Sequence, residues 1–258
     1  MASIAAVIIV KNESTVLRDC LDKLSWVNEI VVLDSGSNDD TLEIAKEYTQ
    51  QVYQDADWQG YGVQRQRAQL KTEADWILMV DADEHVSDEL RSEIQKIVQE
   101  NNPSNVYEVP ILPWCFGRFI RHSGWYPAYK VRLYANNVAK YGPERVHEKL
   151  YYSQDVSVKQ LKGNLLHYTY RDLEHYLVKS AGYAREWAVH RKQSGKSASL
   201  ISGVLHGIGC FIKMYLLKAG FLDGKQGFLL ALLSAHSTFA KYADLWIRTK
   251  TSLEKSKA

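Results

Sequence analysis

Acidic and polar side chains follow three apolar segments in the first third of the chain. The first segment is followed by Lys11-Asn12-Glu13, the second by Asp34-Ser35-Gly36-Ser37 and the third by Asp81-Ala82-Asp83-Glu84. Carboxylates that gather at one place repel one another and lose hydration, and a bound cation or the donor groups of a ligand offset this cost. If the three segments are neighbouring parallel strands, their carboxyl ends meet at one edge, where such sheets bind ligands. The sequence therefore predicts a ligand site at this edge.

The pair Asp81 and Asp83 is the strongest of these signals, because two carboxylates two residues apart suit a hard cation that prefers oxygen ligands. A D-x-D motif is common by chance, so the evidence for a site comes mainly from its position directly after a buried segment. Simpler interpretations compete at the other two positions. Asp34 can be a turn former or helix cap, and Glu13 can be a solvated charge that the helix dipole favours.

The elements that must position these residues alternate between strand and helix. Continuous apolar runs at 4–10, 29–33 and 76–80 are typical of strands buried on both faces of a parallel sheet. Helical spacing follows each run, with helices expected near 16–24, 40–48 and 63–70, a weak strand near Val52, and a helix capped by Ser87. This alternation predicts an α/β fold with a doubly wound, mostly parallel sheet.

Composition fits a folded protein with one sizeable domain and an appendage, since 46% of the 258 residues are hydrophobic and 24% are charged. The net charge of +2 is too small to indicate nucleic-acid binding. The three cysteines, at positions 20, 115 and 210, are far apart and favour neither a disulfide framework nor a zinc site, which fits a reducing cytoplasm. The apolar N-terminal stretch lacks a basic leader and is interpreted as the first strand, not a secretory signal.

Aromatic residues are unusually dense between Pro110 and Tyr134, where cationic side chains are interleaved with them. Aromatic faces stack on the apolar faces of sugars, and cations suit a ligand that bears phosphate or carboxylate. Trp125 and Tyr126 are the candidates for such contacts. Core filling explains part of the same pattern.

The last third of the chain changes character. Helical patterns run from about 173 to 190, and two apolar stretches follow at 200–217 and 228–240, joined by a tight polar turn at 220–225. Both stretches are expected to be too interrupted or too short to span a membrane. An amphipathic helical hairpin with lysines at its edges could instead lie on an anionic leaflet. The alternatives are a helical subdomain packed on the catalytic core and a dimer contact.

A family resemblance is carried by three segments in order: VIIVKNE, VVLDSGSNDDT and WILMVDADE. Their order and spacing resemble the nucleotide-sugar-binding half of the family 2 inverting glycosyltransferases with the GT-A fold. Further segments resemble lipopolysaccharide-core β-1,4-glucosyltransferases of Gram-negative bacteria, so that the likeness covers almost the whole chain. These segments are WQGYG at 58–62, residues 64–68, GWYPAYKVRLY, residues 146–148 and GFLDGKQGF.

The resemblance implies a UDP-sugar donor, a hexose that is glucose, a lipid-linked saccharide acceptor such as an inner-core heptose, and Mg²⁺ or Mn²⁺. It places Val10, Glu13 and Asp34 at the uridine, and Asp81 and Asp83 at the diphosphate and its metal. The chain has QRQRA where relatives often carry a Lys and an Asn, so Arg65 and Arg67 are expected only to add charge near the phosphates.

With a donor and an acceptor implied, Trp125 and Tyr126 are the candidate acceptor-binding residues, and Arg132 could contact the donor diphosphate. The chemistry of transfer assigns further roles. The leaving nucleoside diphosphate develops negative charge, which a divalent ion held by Asp83 would stabilise. The acceptor hydroxyl needs a base, and Glu148 is the candidate, with Asp155 and Glu144 as substitutes and an exposed loop glutamate as the simpler interpretation. His167 would reach the metal or the phosphates, as a late histidine does in some enzymes of this fold, or would fill the core.

These expectations divide the chain into a catalytic domain at 1–172 and a helical extension at 173–258. Within the first, 1–100 is the donor-binding half and 101–172 the acceptor half. The protein is expected on the inner face of the cytoplasmic membrane as a peripheral protein. Two other functions stay open: a nucleotidyltransferase, which should carry a Gly-rich basic loop after the first strand, and a non-catalytic carbohydrate-binding protein at the membrane surface.

Overall fold

A computed structural model describes residues 2–143 and 148–255, with side chains up to residue 250. The chain forms two compact units, which are 1–111 with 128–167 (the first unit) and 112–127 with 168–258 (the second unit). In chain order the elements are β1 (Ile4–Val10), α1 (Leu17–Asp22), β2 (Glu29–Asp34), α2 (Thr41–Tyr48), β3 (Val52–Gln54), α3 (Tyr61–Gln69), β4 (Trp76–Asp81), β5 (Glu84–Val86), α4 (Asp88–Glu100), β6 (Asn105–Cys115), β7 (Arg118–Phe119), β8 (Ala128–Ala135), β9 (Ala139–Tyr141), β10 (Leu150–Tyr152), β11 (Ser157–Gln160), β12 (Leu165–Tyr170), α5 (Leu173–Gln193), α6 (Leu200–Ile212), a π-helical turn (Lys213–Leu217), a short 3-10 helix (Gly220–Asp223) and α7 (Gly224–Lys255).

The sheet has the strand order β3-β2-β1-β4-β8-β6-β12-β5. The first four strands are parallel to one another, whereas β8 runs antiparallel to β4, and β6 antiparallel to β8. Ile4, Ala6 and Ile8 of β1 pack on the face covered by α1 and α4, and Ala5 and Val7 pack on the face covered by α3. Helices on both faces of a parallel core confirm the predicted doubly wound α/β fold. The antiparallel strands were not expected from the sequence.

The register of the parallel strands brings the three polar turns to one edge. Val10 lies opposite Asp34 in the pairing of β1 with β2, and Ile9 lies opposite Asp81 in the pairing of β1 with β4. The backbone of Asn12 donates to Ser37 Oγ at 2.8 Å, so the turns after β1 and β2 are bonded to each other. The carboxyl ends of the strands therefore meet as the sequence predicted.

Gly163 fixes the segment before β12 against the first turn of α4. A Cβ at this position would lie 2.2 Å from the backbone nitrogen of Leu90, so only glycine fits. Ser87 caps α4 as predicted by accepting from Leu90 N at 3.2 Å, and its backbone nitrogen donates to the carbonyl of Asn164. This contact precedes the pairing of β12 with β5, which sets His167 opposite Glu84.

The second unit is helical. Gly203 and Gly207 of α6 face α7, where added Cβ atoms would lie 3.0 Å from Tyr242 Cβ and 3.1 Å from the carbonyl oxygen of Ala235. The two helices therefore approach closely along one side of α6. The buried residues of this unit include Cys115, Ile120, Tyr170, Tyr176, Met214, Leu230 and Ala231.

The other side of α6 is apolar and exposed. Leu200–Leu217, with a mean hydropathy of 1.6, is long and apolar enough to cross a membrane, the one such helix in the described part of the chain. Only 17% of the residues in this stretch are buried. The sequence predicted that this stretch is too interrupted to span a membrane, and by length and composition that prediction was wrong. The π-helical turn continues α6 through Lys213 to Leu217 without a break.

Replacing Gly163 by alanine should lower the free energy of unfolding by about 1–3 kcal/mol, the usual cost of forcing extra atoms into a packed site. Gly182→Ala is the matched control, since nothing lies within 4 Å of the added Cβ in the middle of α5. That change should stabilise the protein by roughly 0.5–1 kcal/mol. Urea titration measures both effects, and an equal response of the two variants would contradict the role of Gly163.

Candidate active site

Asp81 at the end of β4 is bound by two arginines. Its Oδ1 accepts from a terminal nitrogen of Arg65 at 2.6 Å, and its Oδ2 accepts from Arg132, also at 2.6 Å. The same nitrogen of Arg132 donates to Glu84 Oε1 at 2.7 Å, and the backbone nitrogen of Asp81 donates to Glu84 Oε2 at 2.9 Å. Glu84 is only 1% exposed. The four residues form one hydrogen-bonded network, called here the Asp81 network.

The two arginines reach Asp81 from different elements. Arg65 lies on the buried face of α3, which packs on the sheet, and Arg132 lies on β8, the antiparallel neighbour of β4. Both side chains are almost fully buried. Removing one partner of such a pair typically costs about 3–5 kcal/mol, because the other charge is left uncompensated.

The charges in the network reinforce one another. Burial alone would raise the pKa of Asp81, but the nearby charges of Arg132 and Arg65 outweigh it and hold this pKa well below its usual range. Burial likewise opposes the charge on each guanidinium, yet Asp81 raises the pKa of both arginines. All three groups are therefore ionised over the physiological pH range.

Some donors of the two arginines have no hydrogen-bond partner among residues 2–143 and 148–255. These are Nε and one terminal nitrogen of Arg65, and Nε of Arg132. The guanidinium of Arg65 lies over the ring of Tyr141, 5.8 Å from its centroid, and burial raises the pKa of that phenol. A buried donor without an acceptor costs about 1–3 kcal/mol. Such donors beside a strand end suit an anionic ligand, since guanidinium and phosphate match in shape and charge.

The two predicted metal ligands lie together. His167 Nε2 is 3.1 Å from Asp83 Oδ2, and both side chains are about one quarter exposed. Asp83 lies in the turn between β4 and β5, and β12 carries His167 to the same place. Burial lowers the pKa of His167, but its hydrogen bond to Asp83 outweighs this and raises it. The metal-binding role of the pair stays a prediction.

The pair fits a hexacoordinate ion that takes few ligands from the protein. No group of three or more His, Cys, Asp and Glu side chains suited to a metal occurs in the described ranges. Mg²⁺ is usually bound by one or two carboxylates together with the phosphates of a substrate and water. Asp83 with His167 therefore suits a metal that arrives with a diphosphate.

Glu148 lies beside the Asp81 network. Its Oε1 is 4.0 Å from a terminal nitrogen of Arg65, and its side chain is partly exposed. Of the two substitutes for the base, Asp155 is in an exposed turn where its carboxylate accepts from the Ser153 hydroxyl at 3.1 Å. Glu144 lies outside the described residues. Glu148 is therefore the one described candidate base that lies beside the Asp81 network, and its role as base stays a prediction.

Asp34 is engaged by its own turn. The carboxylate is fully buried and accepts from the backbone nitrogens of Gly36 and Ser37, each at 3.0 Å, and from the Ser37 hydroxyl. The hydrogen bonds of the Asp34 carboxylate therefore agree with the simpler interpretation, in which this residue stabilises the turn. Val10 lies opposite Asp34, and the backbone nitrogen of Glu13 donates to Thr41 Oγ1 at 2.9 Å. A uridine-binding role for these three residues stays a prediction.

Arg67 does not join Arg65. Its guanidinium pairs with Asp55 at 3.2 Å and with Asp57 at 2.9 Å, in the loop before α3. Residues two apart on a helix point to opposite sides, so the two arginines of QRQRA diverge. The charge of Arg67 is already neutralised by this loop.

Trp125 and Tyr126 belong to the second unit. The ring of Trp125 packs against Tyr170 with centroids 6.0 Å apart, and Arg121 lies over Tyr126 at 5.7 Å. Both rings are half-buried. Part of this aromatic cluster fills the core, and acceptor binding by the two residues stays a prediction.

Two site residues were missed by the sequence reasoning. Glu84 was noted only as the end of an acidic run, and Tyr141 was given no role. Glu84 and Val86 are buried on one side of β5, but the sequence of this strand, EHV, has a single apolar residue and gave only a weak signal. Tyr141 gave no local signal, because its contact with Arg65 spans 76 positions of the sequence.

Comparison with known proteins matches residues 5–156 to the model of glycosyl transferase family 2. An uncharacterised glycosyltransferase of Rickettsia prowazekii is 29% identical over 95% of this chain and 87% of its own length. The lipopolysaccharide core biosynthesis glycosyltransferase LpsC of Rhizobium meliloti is 25% identical over 95% and 92%.

Among solved structures, Staphylococcus aureus TarS 1-349 in complex with UDP is 15% identical over 97% of this chain and 92% of that chain, with a TM-score of 0.49. Glucosyl-3-phosphoglycerate synthase from Mycobacterium tuberculosis in complex with Mg²⁺ and UDP is 27% identical over 33% and 34%, with a TM-score of 0.30. The family model covers more than half of the chain, and its match agrees with the parallel core and strand-end carboxylates described above. The chain therefore belongs to glycosyl transferase family 2 and has the GT-A fold.

Proposed function

We propose that this protein transfers a hexose, with inversion, from a UDP-sugar to a lipid-linked saccharide, in the presence of Mg²⁺ or Mn²⁺. The observation that supports this most directly is the Asp81 network with Asp83, His167 and Glu148 beside it. It joins buried cations that suit a diphosphate, a two-ligand metal position and a carboxylate that can accept a proton.

The need for a metal follows from charge. Among the described residues, the carboxylates of Asp81, Asp83, Glu84 and Glu148 lie beside two guanidinium groups, with Lys130 as a further cation that acts on Asp81, and the formal charge with His167 neutral is negative. A diphosphate of the same sign would be repelled, and the repulsion is strong where water is scarce. A divalent ion bound by Asp83 and His167 would supply the missing positive charge and stabilise the leaving group.

Other residues would bind the diphosphate and the uridine of the donor. Arg65 and Arg132 would bind the diphosphate through donors that have no acceptor among the described residues. Val10, Glu13 and Asp34, at the adjoining edge of the sheet, would hold the uridine. Their place beside Asp81 is set by the strand register.

Glu148 would act as the base. Inversion requires the acceptor hydroxyl to attack the sugar carbon from the face opposite the leaving group, while a carboxylate accepts its proton. A partly exposed carboxylate can meet an incoming acceptor, and its position near Arg65 keeps it close to the donor.

The identity of the sugars rests on resemblance. Glucose as the hexose and an inner-core heptose as the acceptor follow from the segments shared with lipopolysaccharide-core glucosyltransferases, and the relative LpsC bears a name of the same kind. Trp125 and Tyr126 would stack on the acceptor sugar. A panel of UDP-sugars, with release of UDP as the readout, identifies the donor.

The nucleotidyltransferase alternative finds no support. Such an enzyme should carry a glycine-rich basic loop after β1, and this chain has Lys11-Asn12-Glu13-Ser14. Family membership points the same way.

A lipid-linked acceptor requires the enzyme at a membrane, and we place it on the inner face of the cytoplasmic membrane as a peripheral protein. The exposed side of α6 supplies apolar area, with Leu205 and Ile208 each more than half exposed. Full burial of such side chains contributes roughly 1.5–3 kcal/mol each, more than the attraction of scattered lysines.

The first test of this function is metal dependence. UDP with Mn²⁺ should raise the melting temperature of the wild-type protein more than UDP alone, and CTP should not replace UDP. In Asp83→Asn the Mn²⁺-dependent part should vanish and turnover should fall by at least about a hundredfold, with unfolding still cooperative. Glu73→Gln, at an exposed carboxylate of the first unit with no role in the site, serves as the control. Near-normal activity of Asp83→Asn in chelator would rule out the metal role.

The second test concerns the base. Glu148→Gln keeps the shape of the side chain but removes its proton affinity, so turnover should fall by about 10²- to 10⁴-fold while stabilisation by UDP and Mn²⁺ is retained. Turnover is measured as release of UDP with saturating acceptor. Wild-type turnover would move the role to Asp155 or Glu144.

The third test concerns attachment to the membrane. Binding to vesicles of neutral lipid should survive ~0.5 M salt, which shortens the screening length to a few Å, and should yield to mild detergent. Leu205→Gln with Ile208→Gln should weaken it severalfold. Leu70→Gln with Val158→Gln, exposed apolar residues of the first unit, is the matched control. Absence of binding by the wild type would refute peripheral attachment, and retention through an alkaline wash would indicate a spanning helix instead.

A further inference from the structure

Asp223 joins two segments of the second unit. The residue lies in the GFLDGKQGF segment, which the site described above leaves without a role, and it is only 1% exposed. Its Oδ1 accepts from the backbone nitrogen of Arg121 at 3.1 Å, and its Oδ2 accepts from that of His122 at 2.9 Å. His122 Nδ1 lies 3.0 Å from the same carboxylate. The loop at 116–124 is therefore bonded to the turn at 218–227.

Further contacts make the connection rigid. The backbone nitrogen of Ser123 donates to the carbonyl of Lys218 at 2.9 Å, and Arg118 donates to the carbonyl of Leu222 at 3.3 Å. A Cβ at Gly220 would lie 2.6 Å from Ser123 Oγ, and one at Gly227 would lie 1.9 Å from the Gly220 carbonyl oxygen. Glycine at these two positions lets the loop and the turn close on each other.

This junction gathers positive charge at the surface. Its exposed basic residues, called here the basic collar, are Arg118, Arg121, Lys213, Lys218 and Lys225. In the stretches 112–127 and 193–243 of the sequence, Asp223 is the only Asp or Glu. Its carboxylate is buried and hydrogen-bonded, so its oxygens are not presented at the surface. The collar therefore presents cations without competing carboxylates from these stretches.

Large apolar side chains are exposed among the same residues. Leu217 is 75% exposed and Leu222 is 54% exposed, and Phe221 lies between the lysines at 218 and 225. Cations that alternate with exposed apolar groups are typical of surfaces that rest in the headgroup region of an anionic leaflet. An acidic protein partner would account for the cations but not for the exposed apolar side chains among them.

We propose that the basic collar binds the headgroups of anionic phospholipids while Leu217, Phe221 and Leu222 enter the interface. The proposal rests on the membrane attachment proposed above and adds lipid selectivity to it. The apolar side of α6 would attach the protein to any leaflet, and the collar would favour an anionic one. Each cation near such a surface raises binding by about fivefold, and this gain is screened by salt.

The test uses the full chain and two kinds of vesicle, one of phosphatidylcholine and one with about 30% phosphatidylglycerol. The wild type should bind the anionic vesicles at least about tenfold more tightly, and ~0.5 M salt should remove this difference. Arg118→Gln with Arg121→Gln should lose most of the preference. Lys213→Gln with Lys225→Gln should do the same and leaves the hydrogen bond of Arg118 intact.

Lys159→Gln with Lys162→Gln, on the exposed surface of the first unit, is the control for net charge and should keep the preference. Stabilisation by UDP and Mn²⁺ should be unchanged in all variants. Neutral binding without an anionic preference, or an equal loss in the control, would overturn the collar alone. Loss of all vesicle binding would overturn the membrane attachment with it. Competition by inorganic phosphate at equal ionic strength would identify a site for free phosphate and overturn the lipid assignment.

Discussion

The ion pair of Asp81 with two buried guanidinium groups is the interaction on which the candidate site depends. Arg65 comes from a helix on one face of the sheet and Arg132 from an antiparallel strand at its side, so the contact joins α3, β4 and β8 at one point. Glu84 completes the network, because its carboxylate accepts from both Arg132 and the backbone nitrogen of Asp81. All three elements must be in place before every charge of the network is compensated, so the buried pairs also specify the geometry.

This arrangement gives Asp81 and Asp83 different surroundings. Both carboxylate oxygens of Asp81 are occupied by arginine, whereas Asp83 faces His167 and is partly exposed. A strand end with two equivalent carboxylates would leave the position of a metal undetermined. Here the guanidinium groups occupy the carboxylate of Asp81, which leaves that of Asp83 for a metal. The pairing of β12 with β5 places the imidazole of His167 beside Asp83. The same sheet contacts thus position both the guanidinium groups that are proposed to bind an anion and the Asp83–His167 pair that is proposed to bind a cation.

The parallel core could be predicted from the sequence because its signals are local. Strands such as Ile4–Val10 are apolar throughout, and parallel order alone brings their polar ends together. Arg132 and His167 reach the site through antiparallel pairings with partners 50 or more residues away, and a register shift interrupts the pairing of β6 with β8. No periodicity in the sequence encodes such distances. The divergence of Arg65 and Arg67, by contrast, follows from helical geometry and could have been predicted.

The net charge of +2 is a sum that does not show how positive and negative side chains are distributed in the fold. In the first unit, four carboxylates and two arginines gather at one edge of the sheet, with a negative balance. In the second unit, five exposed cations stand among apolar side chains, and the one acidic residue of the adjoining stretches is buried. The two groups of charges are proposed to act on ligands of opposite kind, and screening at physiological ionic strength weakens the field of an exposed charge beyond a Debye length of about 8 Å. A near-neutral total is therefore compatible with both the proposed metal-dependent site and the proposed lipid-binding surface, and only the placement of the charges distinguishes such a protein from one with neither.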